Sequence, residues 1–321
     1  MNNIKISITI PAYKKRFLKE CIESVLDQTY QNFELIILND ASPEDLLSVV
    51  NQYSDSRIRY FENEENAGAI NLVDVWNKCL KYAVGGYIIC MGDDDKLLPN
   101  SLQDYIYLIE KYPGLGIYHA RTEVIDEKSN FVSVAPSLPD YESVYSLMLH
   151  SWNGYRQFIG NYLFEVSTLR NNGGFYKLPL AWSSDKISIS IAAMKNGIAN
   201  TQSIAFQYRA NNLSISSSGD SIIKMRAILK SEKWHRFFLK KNPSDEIDSK
   251  IRQMLLASFE KQFDGMKIYT IQYDLKSNSI FRIFFWLKNK RKYKLNSYTI
   301  LVAFLLAIKK KMVKILCCCS H

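Results

Sequence analysis

Residues 87–95 read Tyr-Ile-Ile-Cys-Met-Gly-Asp-Asp-Asp, a nearly continuous apolar run that breaks into three carboxylates. A short apolar run ending in turn-like residues fits a strand buried on both faces, the kind that parallel sheets contain. Upstream, Ile4-Lys-Ile-Ser-Ile-Thr-Ile10 alternates or runs β-branched and stops at Pro11, and Phe33-Glu-Leu-Ile-Ile-Leu38 reads as a second strand. Between them Leu18, Ile22, Val25 and Leu26 fall at helical spacing. Strands alternating with helices predict an α/β fold around a central, mostly parallel sheet with crossovers. Ligands of such sheets gather beyond the carboxyl ends of the strands, so the residues just after each strand are the functional candidates.

Further along, Ser42-Pro43-Glu44-Asp45 fits a capping box with proline at the first helical position and predicts a helix over about 43–53. A short strand at 58–61 and helices at 69–82 and 102–110 follow, the last ending at Pro113-Gly114. A strand at 116–121 and a helix at about 186–196, stopped by Gly197, complete this part. Beyond about residue 215 the character changes to long, basic, aromatic-rich helices, including 280–287 and 298–308.

The chain has 321 residues, 47% hydrophobic and 23% charged, ordinary for a globular protein and incompatible with wholesale disorder. Its net charge of +9 is unevenly placed. Residues 221–321 carry 22 Lys and Arg against 7 Asp and Glu, a net of +15, and residues 1–220 carry 19 against 25, a net of −6. An acidic front with carboxylate clusters suits a divalent cation, and a basic rear suits an anionic surface. Cys21, Cys79 and Cys90 lie in apolar segments and read as small core residues, and Cys317, Cys318 and Cys319 read as an unremarkable terminus. No Cys pair has zinc spacing and no secretory signal precedes the first strand, so a reducing cytosol is the expected compartment.

Each rim residue carries two readings. Asp93, Asp94 and Asp95 are either a solvated acidic turn or carboxylates that a hard cation, Mn2+ or Mg2+, holds charged and close, bridging a diphosphate. Asp40 is either a turn residue or a ligand-binding group, and Ser42 is adequately explained as a helix cap. Tyr13, following Pro11 and Ala12, either packs or stacks on a nucleobase. Asp185 is either a helix N-cap or a general base, and the nearby Trp182 either packs in the core or stacks on an acceptor sugar.

In order along the chain, Ser7-Ile-Thr-Ile-Pro-Ala-Tyr13, Ser24-Val-Leu-Asp-Gln-Thr-Tyr30-Gln-Asn-Phe-Glu34, Asn39-Asp40-Ala-Ser42, Asn66-Ala-Gly68, Gly86-Tyr-Ile and Gly92-Asp-Asp-Asp95 resemble family 2 glycosyltransferases of the bacterial surface-polysaccharide type. The resemblance covers about residues 4–200. It implies the GT-A fold and transfer of a sugar from a nucleotide-diphosphate donor, mostly with inversion and with a UDP-sugar favoured. On this basis Tyr13 packs on the base, Asp40 hydrogen-bonds it, and Pro11, Ala12, Asn66, Gly68, Asp93 and Asp94 complete the donor site. Asp93 and Asp95 hold the metal, and Asp185 is the base, with Ser184 where the family often has a second acid. Lys14 stands where the family commonly has Asn, and either contacts a phosphate or is solvated. Neither membrane spans nor a Gln-x-x-Arg-Trp motif is evident, which favours single-sugar addition.

We therefore expect a GT-A catalytic domain over 1–215, its donor half about 1–100 and its acceptor half about 101–215, and a helical basic region over 216–321. The apolar run 298–308 would be only about 16 Å long as a helix, too short to span a bilayer. Flanked by lysines, residues 280–316 either lie in the headgroups of an anionic leaflet or pack as a basic bundle. The expected partners are a nucleotide-sugar, a glycan or lipid-linked acceptor and the cytoplasmic face of the plasma membrane. Nucleic acid is excluded, because the basic residues interleave with bulky aliphatics. Two rivals stand beside this reading: a non-catalytic, membrane-associated binding protein of the same fold, and a sugar nucleotidyltransferase, for which Pro11-Ala12-Tyr13-Lys14 is a poor triphosphate loop.

Overall fold

The structure, a computed structural model, describes residues 4–211 and 220–318, with side chains as far as residue 310. The described residues of 1–177 and 184–214 form one compact unit, and those of 178–183 and 215–321 form a second.

In the first unit the chain runs β1 (Ile6–Ala12), α1 (Leu18–Leu26), β2 (Phe33–Asn39), α2 (Leu47–Val50), β3 (Ile58–Glu62), α3 (Leu72–Tyr82), β4 (Tyr87–Cys90), β5 (Lys96–Leu97) and α4 (Ser101–Lys111). It continues through β6 (Ile117–Ile125), β7 (Phe131–Val134), β8 (Tyr141–Glu142), α5 (Val144–Trp152), β9 (Tyr162–Glu165), α6 (Val166–Asn171), α7 (Ser184–Ala193) and β10 (Ile198–Arg209). The sheet order is β3-β2-β1-β4-β9-β6-β10-β5, with β7 on β6 and β8 on β10. β1, β2, β3 and β4 are mutually parallel, as the apolar runs predict. β9 then pairs antiparallel with both β4 and β6, and two reversals restore direction. β6, and β10 parallel to it, therefore end on the same rim as β1, β2 and β4.

Ile6, Ile8, Leu35, Ile37 and Ile89 are fully buried and form one core with Leu18, Ile22 and Val25 of α1 and Leu102 and Tyr105 of α4. The three internal cysteines are buried there and in the neighbouring layer, reduced and inert.

Two local expectations change. β1 does not stop at Pro11 but runs through it to Ala12, with Pro11 opposite Leu38. Met91 N donates to Thr9 O at 3.0 Å, and the next main-chain position facing β4 is residue 11. The missing proline N–H thus falls where β1 and β4 part, and costs no ladder bond. The helix expected over 43–53 is only the four residues of α2. Ser42 Oγ accepts from Glu44 N at 3.0 Å and also donates to Tyr13 O at 2.6 Å, so its hydroxyl holds this turn and braces the rim together.

The second unit comprises α8 (Ser221–Phe238), α9 (Glu246–Ser277), α10 (Ile283–Lys288) and α11 (Ser297–Cys318). Its core gathers Met225, Ile271, Leu275, Trp286, Tyr293, Ile300, Ala303 and Ala307. Among the described residues no helix is long and apolar enough to cross a membrane. The side chains of Cys317 and Cys318, and Cys319 altogether, lie outside the described residues.

At the opposite end of the strands Glu34, whose side chain is 3% exposed, ties three segments together. It accepts from Ser7 Oγ at 2.6 Å, Val84 N at 2.8 Å and Arg59 at 2.5 Å. Burial alone would raise this carboxyl, and those three donors bring it below the usual glutamate value. Its contribution is therefore full above that usual value and lost as pH falls through the lowered one. Glu34→Gln should cost about 2–3 kcal/mol at neutral pH, read by urea unfolding, and the cost should shrink in acid.

Candidate active site

The ends of β1, β2, β4 and β10 converge on one rim, and the sequence-predicted donor residues fall there. Asp93 follows β4 and turns towards the end of β1, where its Oδ2 accepts from Tyr13 N at 2.8 Å and Lys14 N at 2.7 Å. Burial pushes its carboxyl up to about 6, the Asp94 charge adds to this, and the two N–H groups oppose it. Asp95 is buried; its Oδ1 accepts from Arg209 N at 3.0 Å. Burial, then the Asp94 charge, hold it well above the usual aspartate value. Asp94 Oδ2 accepts from Asn211 Nδ2 at 2.6 Å.

Gly92 lets these groups close on one another. A Cβ built there would stand 2.8 Å from Asp94 Oδ1 and 3.2 Å from Asp95 Oδ2, so those two oxygens crowd the same space above the glycine. Among the described residues no three His, Cys, Asp or Glu side chains converge to hold a metal on their own. A cation that takes one or two carboxylates and completes its shell with phosphate and water fits the hard oxygens of this triplet.

The residue that sequence reading missed is Arg209, at the end of β10. It is 1% exposed. Its Nε donates to Asp94 O at 2.9 Å, one terminal nitrogen donates to Ser129 Oγ at 2.9 Å and Asp126 O at 3.2 Å, and the other pairs with Glu20 at 2.8 Å. The guanidinium also lies 4.3 Å from the centre of the Phe17 ring. β10 itself was not anticipated, because Gly197 and a mixed polar pattern conceal it; an arginine closing a strand was the one available signal.

On the neighbouring strand Asp40, 8% exposed, accepts from Asn63 Nδ2 at 2.6 Å and Ala67 N at 3.1 Å through Oδ1, and from Asn66 Nδ2 at 3.2 Å through Oδ2. Gly68 has φ of +70°, the left-handed region that admits glycine without penalty, and it turns the chain into the short 3-10 helix Ala69–Asn71 that precedes α3. Ala12 is fully buried in β1, and Tyr13 is 43% exposed, its ring open to solvent at the rim.

Asp185 lies inside the first turn of α7, which starts at Ser184, so it is not the N-cap residue. α7 packs on β6 and β9, and β9 is the immediate neighbour of β4. Burial raises the Asp185 carboxyl above the usual value, against the Lys186 charge and the Lys186 N–H, which donates to Oδ1 at 2.8 Å. The chain approaches it through Leu180, Ala181 and Ser183, all at positive φ. Each costs roughly 1–2 kcal/mol for a residue with a side chain, strain of the kind that collects at functional sites. Trp182 belongs to the second unit, where Lys224 Nζ stands 4.6 Å from its ring centre.

The mostly parallel sheet, with the acidic triplet on the rim where its strands end, has the GT-A fold of nucleotide-sugar transferases. Residues 7–167, half of the chain, match the model of glycosyl transferase family 2, and the chain belongs to that family. The putative glycosyltransferase EpsE of Bacillus subtilis (strain 168) is 33% identical over 141 residues, 42% of this chain and 50% of that protein. The Escherichia coli UDP-Glc:alpha-D-GlcNAc-diphosphoundecaprenol beta-1,3-glucosyltransferase WfgD is 33% identical over 130 residues, 40% of this chain and 50% of that protein. The matched part thus spans about half the length of these relatives. Among solved structures, S. aureus TarS 1-349 in complex with UDP-GlcNAc has a TM-score of 0.65 at 14% identity, covering 96% of this chain and 92% of that one. The mannosyltransferase PcManGT from Pyrobaculum calidifontis, in complex with GDP-Man and Mn2+, has a TM-score of 0.54 at 14% identity, covering 95% and 86%. At these identities the likeness establishes the fold.

Arg209→Met would leave the Asp94 carbonyl without its donor and Glu20 with only Lys96 at 3.8 Å and the Ser129 hydroxyl at 3.1 Å. The expected loss is about 1–3 kcal/mol of stability, that of a buried acceptor left without its donor, measured by urea unfolding. Arg209→Lys should recover little of it, because a single ammonium cannot reach Asp94 O, Ser129 Oγ and Glu20 together.

Proposed function

We propose that the protein transfers one sugar from a nucleotide-diphosphate donor, a UDP-sugar by preference, to a hydroxyl of a glycan or lipid-linked acceptor, with inversion and without processive elongation. One observation carries this reading: the acidic triplet, the Asp40 carboxylate and the exposed Tyr13 ring share one rim of the sheet. The relative WfgD, whose printed name specifies a UDP-Glc donor and a diphosphoundecaprenol-linked acceptor, supports the same choice of donor and acceptor class.

In this mechanism Tyr13 stacks on the base and Asp40 hydrogen-bonds it, with Pro11, Ala12, Asn66 and Gly68 shaping the pocket around them. Asp93 faces the ribose. Asp93 and Asp95, with Asp94 beside them, would hold a divalent cation, Mn2+ or Mg2+. When bound, that ion supplies positive charge to the departing diphosphate. Asp185 removes the proton from the attacking acceptor hydroxyl on the opposite face of the sugar. Its buried, raised carboxyl suits that task, since a base works best when its pKa moves towards the working pH.

Asp185→Asn should lower kcat by about 10²–10⁴-fold while Kd for the donor stays within about twofold, with transfer assayed chromatographically and binding by titration calorimetry. In the native protein kcat/KM should fall as pH drops through the raised Asp185 value. Near-normal turnover by the variant would assign the base elsewhere.

We further place the protein at the cytoplasmic face of a bacterial membrane, through its second unit. Trp286, Ile300, Ala303 and Ala307 face that unit's core, and Phe281, Phe284, Tyr298, Leu301 and Leu305 face outwards, all more than half exposed. Lys288, Lys290, Arg291, Lys292 and Lys294 lie in the chain between the segments 281–286 and 298–307 that carry these side chains. Outward apolar side chains among lysines match the headgroup layer of an anionic leaflet; the side chains of residues 311–316 lie outside the described ones. The protein should sediment with vesicles containing phosphatidylglycerol and not with pure phosphatidylcholine, and Phe284→Asp with Leu301→Asp should abolish sedimentation.

A further inference from the structure

The Asp40 carboxylate is committed before any nucleotide arrives. An ionised carboxylate offers about four acceptor positions. Three already take protein donors: Asn63 Nδ2 and Ala67 N on Oδ1, Asn66 Nδ2 on Oδ2. One position remains, on Oδ2.

Asn63 is in turn held from two sides. Its N–H donates to Asn39 O at 2.8 Å, and its side-chain oxygen accepts from Lys78 Nζ of α3. The Lys78 bond decides the amide's orientation: with Oδ1 facing an ammonium, Nδ2 must face Asp40. Lys78 thus acts on Asp40 through Asn63, at the second remove from any bound base.

We infer that Asn63, oriented by Lys78, sets which nucleobase the donor carries. With a single acceptor position open, Asp40 can satisfy a base edge that presents one ring N–H, as the imide of uracil does. Guanine presents two parallel donors, its ring N–H and its amino group, and one of them would be buried against a carboxylate with no acceptor position left for it. A site built to pair a donor discriminates most strongly when a polar group would otherwise go unpaired. Asn63 and Lys78 are therefore positioning residues for base selection, an assignment that rests on the reading of Asp40 as the base-contacting group.

The full chain is titrated calorimetrically with UDP and with GDP, each with Mg2+ present, for the native protein and for the Asn63→Ala, Lys78→Met and Asp40→Ala variants, with thermal melting to verify folding. The native protein should bind UDP at least about tenfold more tightly than GDP, the discrimination that one unpaired polar group produces. Asn63→Ala opens a second acceptor position on Oδ1. It should weaken UDP binding, leave GDP binding unchanged or tighter, and bring the ratio close to one. Lys78→Met should move the ratio the same way by a smaller factor, and carries the test alone if Asn63→Ala does not fold. An unchanged ratio in the folded variants, an equal loss of both nucleotides, or a native preference for GDP overturns the inference. If Asp40→Ala binds both nucleotides as the native protein does, the reading of Asp40 itself fails, a result distinct from an Asp40-dependent site that ignores Asn63.

Discussion

Three adjacent aspartates at the mouth of a buried strand repel one another, and withdrawing them from water raises the cost of their charge. The chain meets this by aiming donors at them from several directions. Main-chain N–H groups of Tyr13, Lys14 and Arg209 point at Asp93 and Asp95, and Arg209 Nε donates to the Asp94 carbonyl. Those donors come from the ends of β1 and β10, so the triplet can exist only if these strands end beside β4. The two antiparallel pairings of β9, which turn β6 and β10 back to the direction of β4, are what the carboxylates require of the sheet.

The same economy of donors governs the neighbouring Asp40, but there two of the three donors are side chains that could be otherwise. Asn63, Asn66 and Lys78 arrive from the loop after β3 and from α3. Each engaged acceptor position narrows what an incoming molecule can bring. In the proposed reading of Asp40, recognition at this rim follows from which hydrogen-bonding positions the fold has already filled.

Family membership, the GT-A fold and the rim geometry concern the first unit. The second unit follows a different logic, with buried charge as its internal fastener. Asp274, 1% exposed, accepts from Trp286 Nε1 at 2.8 Å and Arg282 Nε at 2.7 Å, and Lys267 pairs with Glu232 at 2.9 Å, both buried. Such pairs add little net stability but penalise alternative packings, which leave a buried charge alone. Phe281, Phe284, Tyr298, Leu301 and Leu305 of this unit stay on its outside.

Local sequence determined β1, β2 and β4, the position of the acidic triplet, the glycine turn at Gly68 and, through the order of these motifs, the family. Apolar runs, proline, glycine and carboxylate clusters act over a few residues, so their consequences are legible without neighbours. The long helix expected after Ser42 is cut to four residues, and the Ser42 hydroxyl also reaches Tyr13 O, 29 residues away in the chain. Arg209 escaped notice because its partner Asp95 is 114 residues distant. Tertiary structure alone decided which donor satisfies which acceptor, because a hydrogen bond depends on which strand ends lie side by side, and strand order is a property of the whole sheet rather than of any segment in it.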